Sequence, residues 1–379
     1  MTNQKSGSQT LVIGGGQAGL SVGYYLKQQG IPFQILDAYP RVGDAWRRRW
    51  DSLRLFSPAR YDGLPGMRFP ARGDAFPTKD EVADYLESYA QRFKLPVRNG
   101  VRVDRLYKED GRFIASAGDQ RFEADNVVVA MANYQVPKLP PFARELDTGI
   151  VQLHSHDYRN PGQLQDGGVL VVGVGNSGAD IAIEIAKTHR TWMAGKESGH
   201  IPFSIESFLA RFVFVRLVRL LGHHILSVAT PIGRKVRPKM LGQATPLVRV
   251  KPNELATAGI ERVGRVIGVQ NGFPQLADCG VLEVKNVVWC TGYDPGFSWI
   301  DLPVFGEDGR PIHDRGVVTE VPGLYFVGLH FLFAMTSATL TGVGRDSKRV
   351  VQAIKARCRG LQPATGQKFN RIELAGVRR

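Results

Sequence analysis

A G-x-G-x-x-G run lodged between a β-like apolar stretch and a helical pattern commits the backbone to one local geometry. This chain carries two such runs. Gly14-Gly15-Gly16-Gln17-Ala18-Gly19 follows Thr10-Leu11-Val12-Ile13, and Gly173-Val174-Gly175-Asn176-Ser177-Gly178 follows Val169-Leu170-Val171-Val172. With 43 glycines in 379 residues, a single match arises by chance roughly 0.5 times, so either run alone is weak. Two, each in a strand–turn–helix setting, are much harder to dismiss. The first glycine makes the tight turn, the second lets the backbone approach a pyrophosphate, and the third lets helix and strand pack closely. The helix start offers N–H groups and a partial positive charge to phosphates. The competing explanation at each position is a Gly-rich turn with no ligand. Two dinucleotide sites on one chain imply electron transfer between two cofactors.

The length suits two domains of ordinary size. Hydrophobic content of 43% and charged content of 22% are those of a soluble globular protein. No apolar run reaches the length of a transmembrane helix. The polar stretch Met1 to Gln9 lacks the apolar core of a signal peptide, which predicts a cytoplasmic protein. The three cysteines, Cys279, Cys290 and Cys358, contain no Cys-x-x-Cys. This argues against dithiol reductase chemistry and against a thiolate-rich metal site, so no metal is expected.

The net charge is +14, and nine Lys or Arg with no Asp or Glu lie between Ser207 and Asn253. Within that stretch Arg211, Arg216 and Arg219 mark a polar edge on a very apolar helix. Such a helix suits an anionic membrane surface. The favoured expectation is instead a helix packed on the protein, with its basic residues solvated or facing an anionic cofactor. No nucleic-acid module accompanies the charge, so no nucleic-acid partner is expected.

Along the chain, a helix from Ala18 to Gln29 stops at Gly30, and a buried strand, Phe33 to Leu36, ends at Asp37. The spacing of Asp37 from Gly14 suits a contact to a ribose hydroxyl, with a turn or cap role as the alternative. Residues 39–77 show no clean period, and a loop of that length is usually functional. Thr78-Lys79-Asp80-Glu81 reads as a capping box before an amphipathic helix over Val82 to Phe93. Val127 to Ala130 reads as a buried strand, and Pro137, Pro140 and Pro141 stiffen a connector. In the second unit Thr191 to Ala194 reads as a strand, with Gly195-Lys196-Glu197 behind it. Lys196 in place of the usual acid favours the 2′-phosphate of NADPH, while Glu197 leaves NADH open. Val287 to Tyr293 and Gly323 to Gly328 repeat a strand–tight-turn form. A helix from about Val343 to Arg357 follows, with a polar tail after Gly360.

From Thr10 to Ile354 the chain resembles the flavin-containing monooxygenases, the class B flavoprotein monooxygenases. It looks closest to their compact bacterial members and is also similar to the plant enzymes of auxin synthesis. The resemblance rests on the Gly14 fingerprint, Gly43-x-x-Trp46, Phe76-Pro77-Thr78-Lys79, the Gly173 fingerprint, Cys290-Thr291-Gly292-Tyr293 and the Gly328 segment. It implies an α/β protein of two three-layer Rossmann-like domains arranged as in glutathione reductase. An NAD(P)H-binding domain, 155–285, would be inserted in a FAD-binding domain made of 1–154 and 286–379. FAD would lie on Gly14, Gly16, Gln17, Ala18 and Gly19, with Asp37 on its ribose. Ala45, Trp46, Val103, Thr291, Gly292 and Gly328 would complete the cofactor sites. NADPH, or NADH, would lie on Gly173, Gly175, Asn176, Ser177, Gly178 and Lys196. The implied activity is NAD(P)H-driven insertion of one oxygen atom from O2 into a soft sulfur or nitrogen nucleophile through a flavin C4a-hydroperoxide.

Three departures qualify the resemblance. A family signature between the two halves is matched only by His154, Tyr158 and Arg159, and His154 is read as structural. An asparagine that helps hold the oxygenated flavin in many members aligns with Phe56, followed by Ser57, and a phenyl ring cannot donate that hydrogen bond. Asn133 stands in Ala130-Met131-Ala132-Asn133, where the family has an Ala-Thr-Gly turn. Phe56, Ser57 and Asn133 are therefore the candidate catalytic positions. The rival readings are an NAD(P)H oxidase or reductase without oxygen transfer, and an electron-transfer flavoprotein at a membrane surface using 207–240. A small-molecule substrate with O2 and a monomer or homodimer are expected.

Overall fold

The computed structural model describes residues 7–196, 199–207, 210–242, 246–278 and 280–360. Strand β1 (Gly7–Ile13) feeds helix α1 (Gln17–Gln28), and β2 (Phe33–Leu36) returns parallel to β1, with Thr10 opposite Phe33 and Ile13 opposite Leu36. Gly30, at φ +65°, reverses the chain after α1 as a glycine stop should. Short helix α2 (Asp44–Arg47) lies in the irregular loop. Helix α3 (Lys79–Arg92) starts at Thr78, whose side chain accepts from Glu81 N while Glu81 reaches back to Thr78 N, so the predicted capping box forms. Strands β3 (Val97–Arg98), β4 (Arg105–Glu109), β5 (Arg112–Ala117) and β6 (Gln120–Val129) complete the run. The sheet order is β3-β2-β1-β6-β5-β4, parallel across β3-β2-β1-β6 and antiparallel beyond, with the late strand Leu324–Phe326 also paired to β6.

The short β7 (Val136–Pro137) leads out of this sheet to a second one. There β8 (Val151–His154), β9 (Val169–Val172), helix α4 (Asn176–Ile185) and β10 (Thr191–Ala194) follow in order. Helices α5 (Val215–Leu220), α6 (Pro231–Gly242) and α7 (Pro252–Thr257) come next. Then come β11 (Glu261–Val263), a small antiparallel sheet of β12 (Val266–Gln270), β13 (Phe273–Leu276) and β14 (Gly280–Val281), and β15 (Asn286–Trp289). The second sheet is parallel throughout, in the order β11-β10-β9-β15-β8. Strand β16 (Tyr293–Asp294) pairs with β7, and β17 (Leu324–Phe326) and helix α8 (Leu340–Cys358) return to the first unit.

Two boundaries differ from the expected division at 154/155 and 285/286. Both β8 and β15 belong to the second sheet, so that unit takes in 151–154 and 286–289. β15, buried along its length, reads the same in either parallel sheet, while β8 is a half-exposed edge strand whose sheet only its pairing with β15 decides. Helix α8 begins at Leu340, earlier than the expected Val343, and Thr339 precedes it in extended conformation.

Each sheet is covered on both faces. Leu20, Val22 and Leu26 of α1 pack with Val82 and Leu86 of α3 and Val343, Val350 and Ile354 of α8. Leu106, Phe113, Val127 and Val129 pack on the other face with Phe297 and Ile300. Each fully buried aliphatic side chain of this kind contributes about 1.5–3 kcal/mol relative to leaving it in water. In the second unit Ile181 and Ile185 of α4 lie with Val169, Val171 and Trp50, so the irregular first-unit loop is built into the core of the second.

The basic segment is the main departure from expectation. From Ala210 to Ile225 the chain is helical, with π-type turns on either side of α5, but only Gly222 is buried in its central and C-terminal parts. It is not a core helix. Among the described residues no helix is long and apolar enough to cross a membrane. Glu197 and the tail beyond Gly360 lie outside the described residues.

Candidate cofactor and active site

The two fingerprints fold into the same turn. Gly14, at φ +109°, sits where a Cβ would come within 2.8 Å of Ala130 O, and a Cβ on Gly19 would meet Gly14 O at 1.9 Å. Gly173, at φ +118°, has Cys290 O at 2.3 Å from that point, and Gly178 has Gly173 O at 2.0 Å. Any side chain at these four positions forces the backbone apart. The middle glycines behave oppositely. A Cβ on Gly16 or Gly175 would meet nothing within 4 Å. Those two positions face open space over the starts of α1 and α4, neither of which has a side-chain cap. Free N–H groups beside an open cradle suit a pyrophosphate, so the residues present fit a dinucleotide at each site.

The first cradle continues into a cleft lined by Gly15, Gly16, Asp37, Tyr39, Gly43 and Trp46. Asp37 is buried there. Its Oδ2 accepts from Gly15 N at 2.5 Å and its Oδ1 from Tyr39 N at 2.7 Å. Burial raises its carboxyl above the usual range, against the pull of those two backbone donors. Ala45 and Trp46 lie on α2, and Trp46 Nε1 donates to Gln17 Oε1 at 3.4 Å. Gln17 in turn donates to Ala338 O at 3.5 Å, and Ala18 lies 2.9 Å from the point a Cβ on Gly328 would occupy. The structure thus brings Gln17, Ala18, Trp46 and Gly328 together at the start of α1. Val103 is half-buried and packs with the β4–β6 core.

At the second cradle Asn176 turns its side chain sideways. Its Oδ1 accepts from Val248 N at 2.8 Å and its Nδ2 donates to Pro246 O at 3.0 Å, which fixes the 246–248 loop to the helix start. Ser177 follows in the first turn of α4. By register Leu36 matches Ala194, so Gly195 takes the place of Asp37 and the exposed Lys196 comes one residue later. Arg262, opposite Met193, donates to Gly195 O at 2.9 Å. That second cation at the strand end is set by a neighbouring strand, and no local sequence signal marks it.

Between the cradles lies an aromatic junction. His156 N donates to His154 Nδ1 at 3.1 Å, which leaves His154 Nε2–H to donate to Gly292 O at 3.0 Å. Burial lowers the His154 pKa, so the buried ring is held neutral in this bridge, a structural role. The Tyr293 ring stands edge-on to His154 at 5.0 Å and to Tyr134 at 5.6 Å, and its hydroxyl accepts from Arg49 at 2.9 Å. Thr291 donates to Lys138 O. Asn133 Oδ1 accepts from His330 N at 3.0 Å, which ties the exit of β6 to the Gly328 loop.

Phe56 is 37% exposed, and its ring and that of Phe76 lie 5.9 and 5.8 Å from the Arg249 guanidinium. Arg249 also donates to Leu55 O at 2.6 Å and so joins the first-unit loop to the second unit. Ser57 Oγ donates to Asp62 Oδ1 at 2.5 Å. Asp62 is fully buried, and burial raises its carboxyl to about 7. Asp180 on α4, near Arg249, is raised by burial to about 6. Asp62, Asp180 and Arg249 carry no sequence signal, because only the packing of the loop buries Asp62 and half-buries the other two. Cys290 backs onto Gly173 and Gly178, and burial pushes its thiol up to about 12.

Residues 11–200 match the model of the pyridine nucleotide-disulphide oxidoreductase family. The chain is 40% identical, over 91% of its length and 97% of the relative's, to an uncharacterized CzcO-like oxidoreductase of Geobacillus kaustophilus. It is 28% identical to the probable indole-3-pyruvate monooxygenase YUCCA3 of Arabidopsis thaliana, over 92% and 86% of the two chains. The solved flavin-containing monooxygenase of Stenotrophomonas maltophilia superposes with a TM-score of 0.74 at 29% identity, over 93% and 99% of the two chains.

Proposed function

The chain belongs to the pyridine nucleotide-disulphide oxidoreductase family, as one of its flavin-containing monooxygenases using FAD and NADPH, and on that premise we propose that it inserts one oxygen atom from O2 into a soft sulfur or nitrogen nucleophile. NADPH supplies two electrons, one oxygen atom enters the substrate and the other leaves as water. Bound FAD supplies the hydride acceptor and the activation of O2. Gly14, Gly16, Gln17, Ala18 and Gly19 would hold its pyrophosphate, Asp37 its ribose, and Ala45 and Trp46 its flavin end. Gly173, Gly175, Ser177 and Gly178 would hold NADPH, with Lys196 and Arg262 toward its 2′-phosphate. Asn133 acts as a positioning residue through His330, and Asn176 does so through the 246–248 loop.

The observation that carries this reading is the pair of open, uncapped cradles combined with the place of Cys290. That thiol lies behind the second fingerprint, on the NADPH side, and burial keeps it protonated. A lone thiol is already reduced and takes up no electrons, and the sequence has no Cys-x-x-Cys to form a disulfide acceptor, so electrons arriving at the first cradle would pass to O2. The test is product and hydrogen peroxide formed per NADPH consumed, with a panel of sulfides and amines. Sulfoxide or N-oxide formed in step with NADPH is the expected outcome. Recovery of all the electrons as peroxide with every compound would reject oxygen transfer and leave an oxidase, the outcome that Phe56 in place of an amide donor favours.

A further inference from the structure

The helix over 210–225 is inside out. Toward the protein it turns Phe214, stacked on Phe203 at 4.9 Å, and Arg219, whose guanidinium lies 5.0 Å over the Tyr61 ring. His223 faces inward too. Its Nδ1 lies 3.1 Å from Thr336 Oγ1, and its carbonyl accepts from Arg345 at 2.7 Å. Toward solvent it turns Val213, Leu217, Val218, Leu220, Leu221 and Ile225, each between 38% and 49% exposed. Positions 213, 217, 220 and 221 follow the i, i+4, i+7, i+8 spacing of one helical face. An ordinary surface helix places its apolar stripe on the core and its charges in water. Here the stripe faces away from the core, and contiguous exposed apolar surface of this kind marks an interaction site.

Charge says what covers it. Arg216 on the same helix is exposed, and on α6, which starts six residues after Ile225, Arg234, Lys235 and Lys239 are exposed as well, with Ile232 57% exposed. The sequence from Ser207 to Asn253 holds no Asp or Glu, so the segment brings no carboxylate of its own against these cations. A second copy of the chain would set cation against cation, which opposes association. A partner that is apolar at depth and negative at its surface matches both features, and an anionic lipid bilayer is such a partner.

We propose that residues 210–225, with the basic start of α6, form a peripheral docking surface for anionic lipid bilayers. The helix lies flat among the headgroups, with Val213, Leu217, Leu220 and Leu221 inserted and Arg216, Arg234 and Lys235 against the lipid phosphates. The proposal holds whichever nucleophile is oxidised, and its test does not read turnover.

The test is vesicle flotation of the full-length, FAD-loaded protein with phosphatidylcholine alone and with phosphatidylcholine–phosphatidylglycerol mixtures, at low and high salt. The protein should float with the anionic vesicles only, and less at high salt. Leu217→Ser with Leu221→Ser should lower the bound fraction about tenfold, while Ile312→Ser, at an exposed apolar position elsewhere, should not. Flavin absorbance and thermal transition should match the parent in both variants, since the exchanged side chains face solvent. Retention in the unfloated fraction with anionic vesicles at low salt would overturn the proposal. So would undiminished binding by the leucine variant, or a dimer in light scattering that the same variant dissolves.

Discussion

Gly15 and Val174 occupy the same position in two turns that otherwise match closely, and the difference traces to the strand beside each. In the first unit Asp37 folds its carboxylate onto the turn, and a Cβ on Gly15 would lie 2.5 Å from Asp37 Oδ2. In the second unit Gly195 stands in that place, with Val174 Cγ1 at 3.4 Å from where its Cβ would be. One unit has a carboxylate and a bare turn; the other has a bare strand end and a valine. On the proposed assignment the same fold would present a hydrogen-bond-accepting wall to one dinucleotide. To the other it would present an apolar wall edged by Lys196 and Arg262. The difference teaches that equal glycine spacing builds the same turn, while the strand-end residue and its turn partner give the two turns different chemistry.

The sharpest way to break this comparison is to fill each open cradle. Gly16→Val and Gly175→Val add side chains where no protein atom stands, so both proteins should fold with near-parental thermal transitions. Gly16→Val should lose bound FAD absorbance. Gly175→Val should keep FAD but raise the KM for NADPH by about 100-fold or more, the equivalent of about 2.7 kcal/mol. If Gly175→Val instead loses its flavin, the assignment of cofactors to the two units is reversed.

A second contrast is between the buried Asp62 on one side and the half-buried Asp180 on the other. Asp62 is raised to about 7 by burial, with the Ser57 hydroxyl opposing, while Asp180 is raised only to about 6, with Arg249 opposing. The folded pKa of Asp62 lies above its ordinary 3.8, so the folded chain keeps a proton that the unfolded chain gives up. Its contribution to stability is therefore lost as pH rises through that window, and is flat above it. The loss is on the order of 4 kcal/mol. Urea unfolding of the protein and of Asp62→Asn at pH 5 and pH 8 should show the variant gaining relative stability at the higher pH. Parallel curves would show that Asp62 ionises freely in the folded state.

The turn partnership itself is tested by Gly15→Ala, expected to cost about 1–3 kcal/mol by overpacking. Asp37→Gly in the same chain should recover part of that loss, because it removes the atoms the new Cβ meets. A double variant no more stable than the additive sum would mean that the two positions are uncoupled. The smallest effect expected is at the other strand end. Lys196→Ala should raise the KM for NADPH about tenfold, about 1.4 kcal/mol, and leave that for NADH nearly unchanged. Equal effects on both would remove Lys196 from the 2′-phosphate.

Much of the first unit was legible because its signals are local. Thr78 and Glu81 cap a helix wherever that helix packs, and Gly14, Gly16 and Gly19 demand their turn from backbone sterics alone. The carboxylate at Asp37 followed from spacing. Sheet membership was not local. Val287 and Val288 read as a buried strand, and only their pairing with Val169 to Val172 places them in the second unit. Ser57 reads from sequence as a candidate catalytic position, and the structure adds that its hydroxyl donates to Asp62, a residue no motif marks. The apolar run over 207–221 reads as a helix packed on the protein, yet Leu217, Leu220 and Leu221 face outward.

The sequence by itself determined two dinucleotide turns, their order along the chain, and the opposite chemistry of the residues behind them. Short-range sterics and residue type settle all three. The tertiary structure alone decided which strands join which sheet and that Asp62 is buried. It also decided that Arg249 spans the two units and that the helix over 210–225 shows its apolar stripe to solvent. Those outcomes depend on which distant surfaces meet, and a one-dimensional pattern shows that a face is apolar without showing what lies against it.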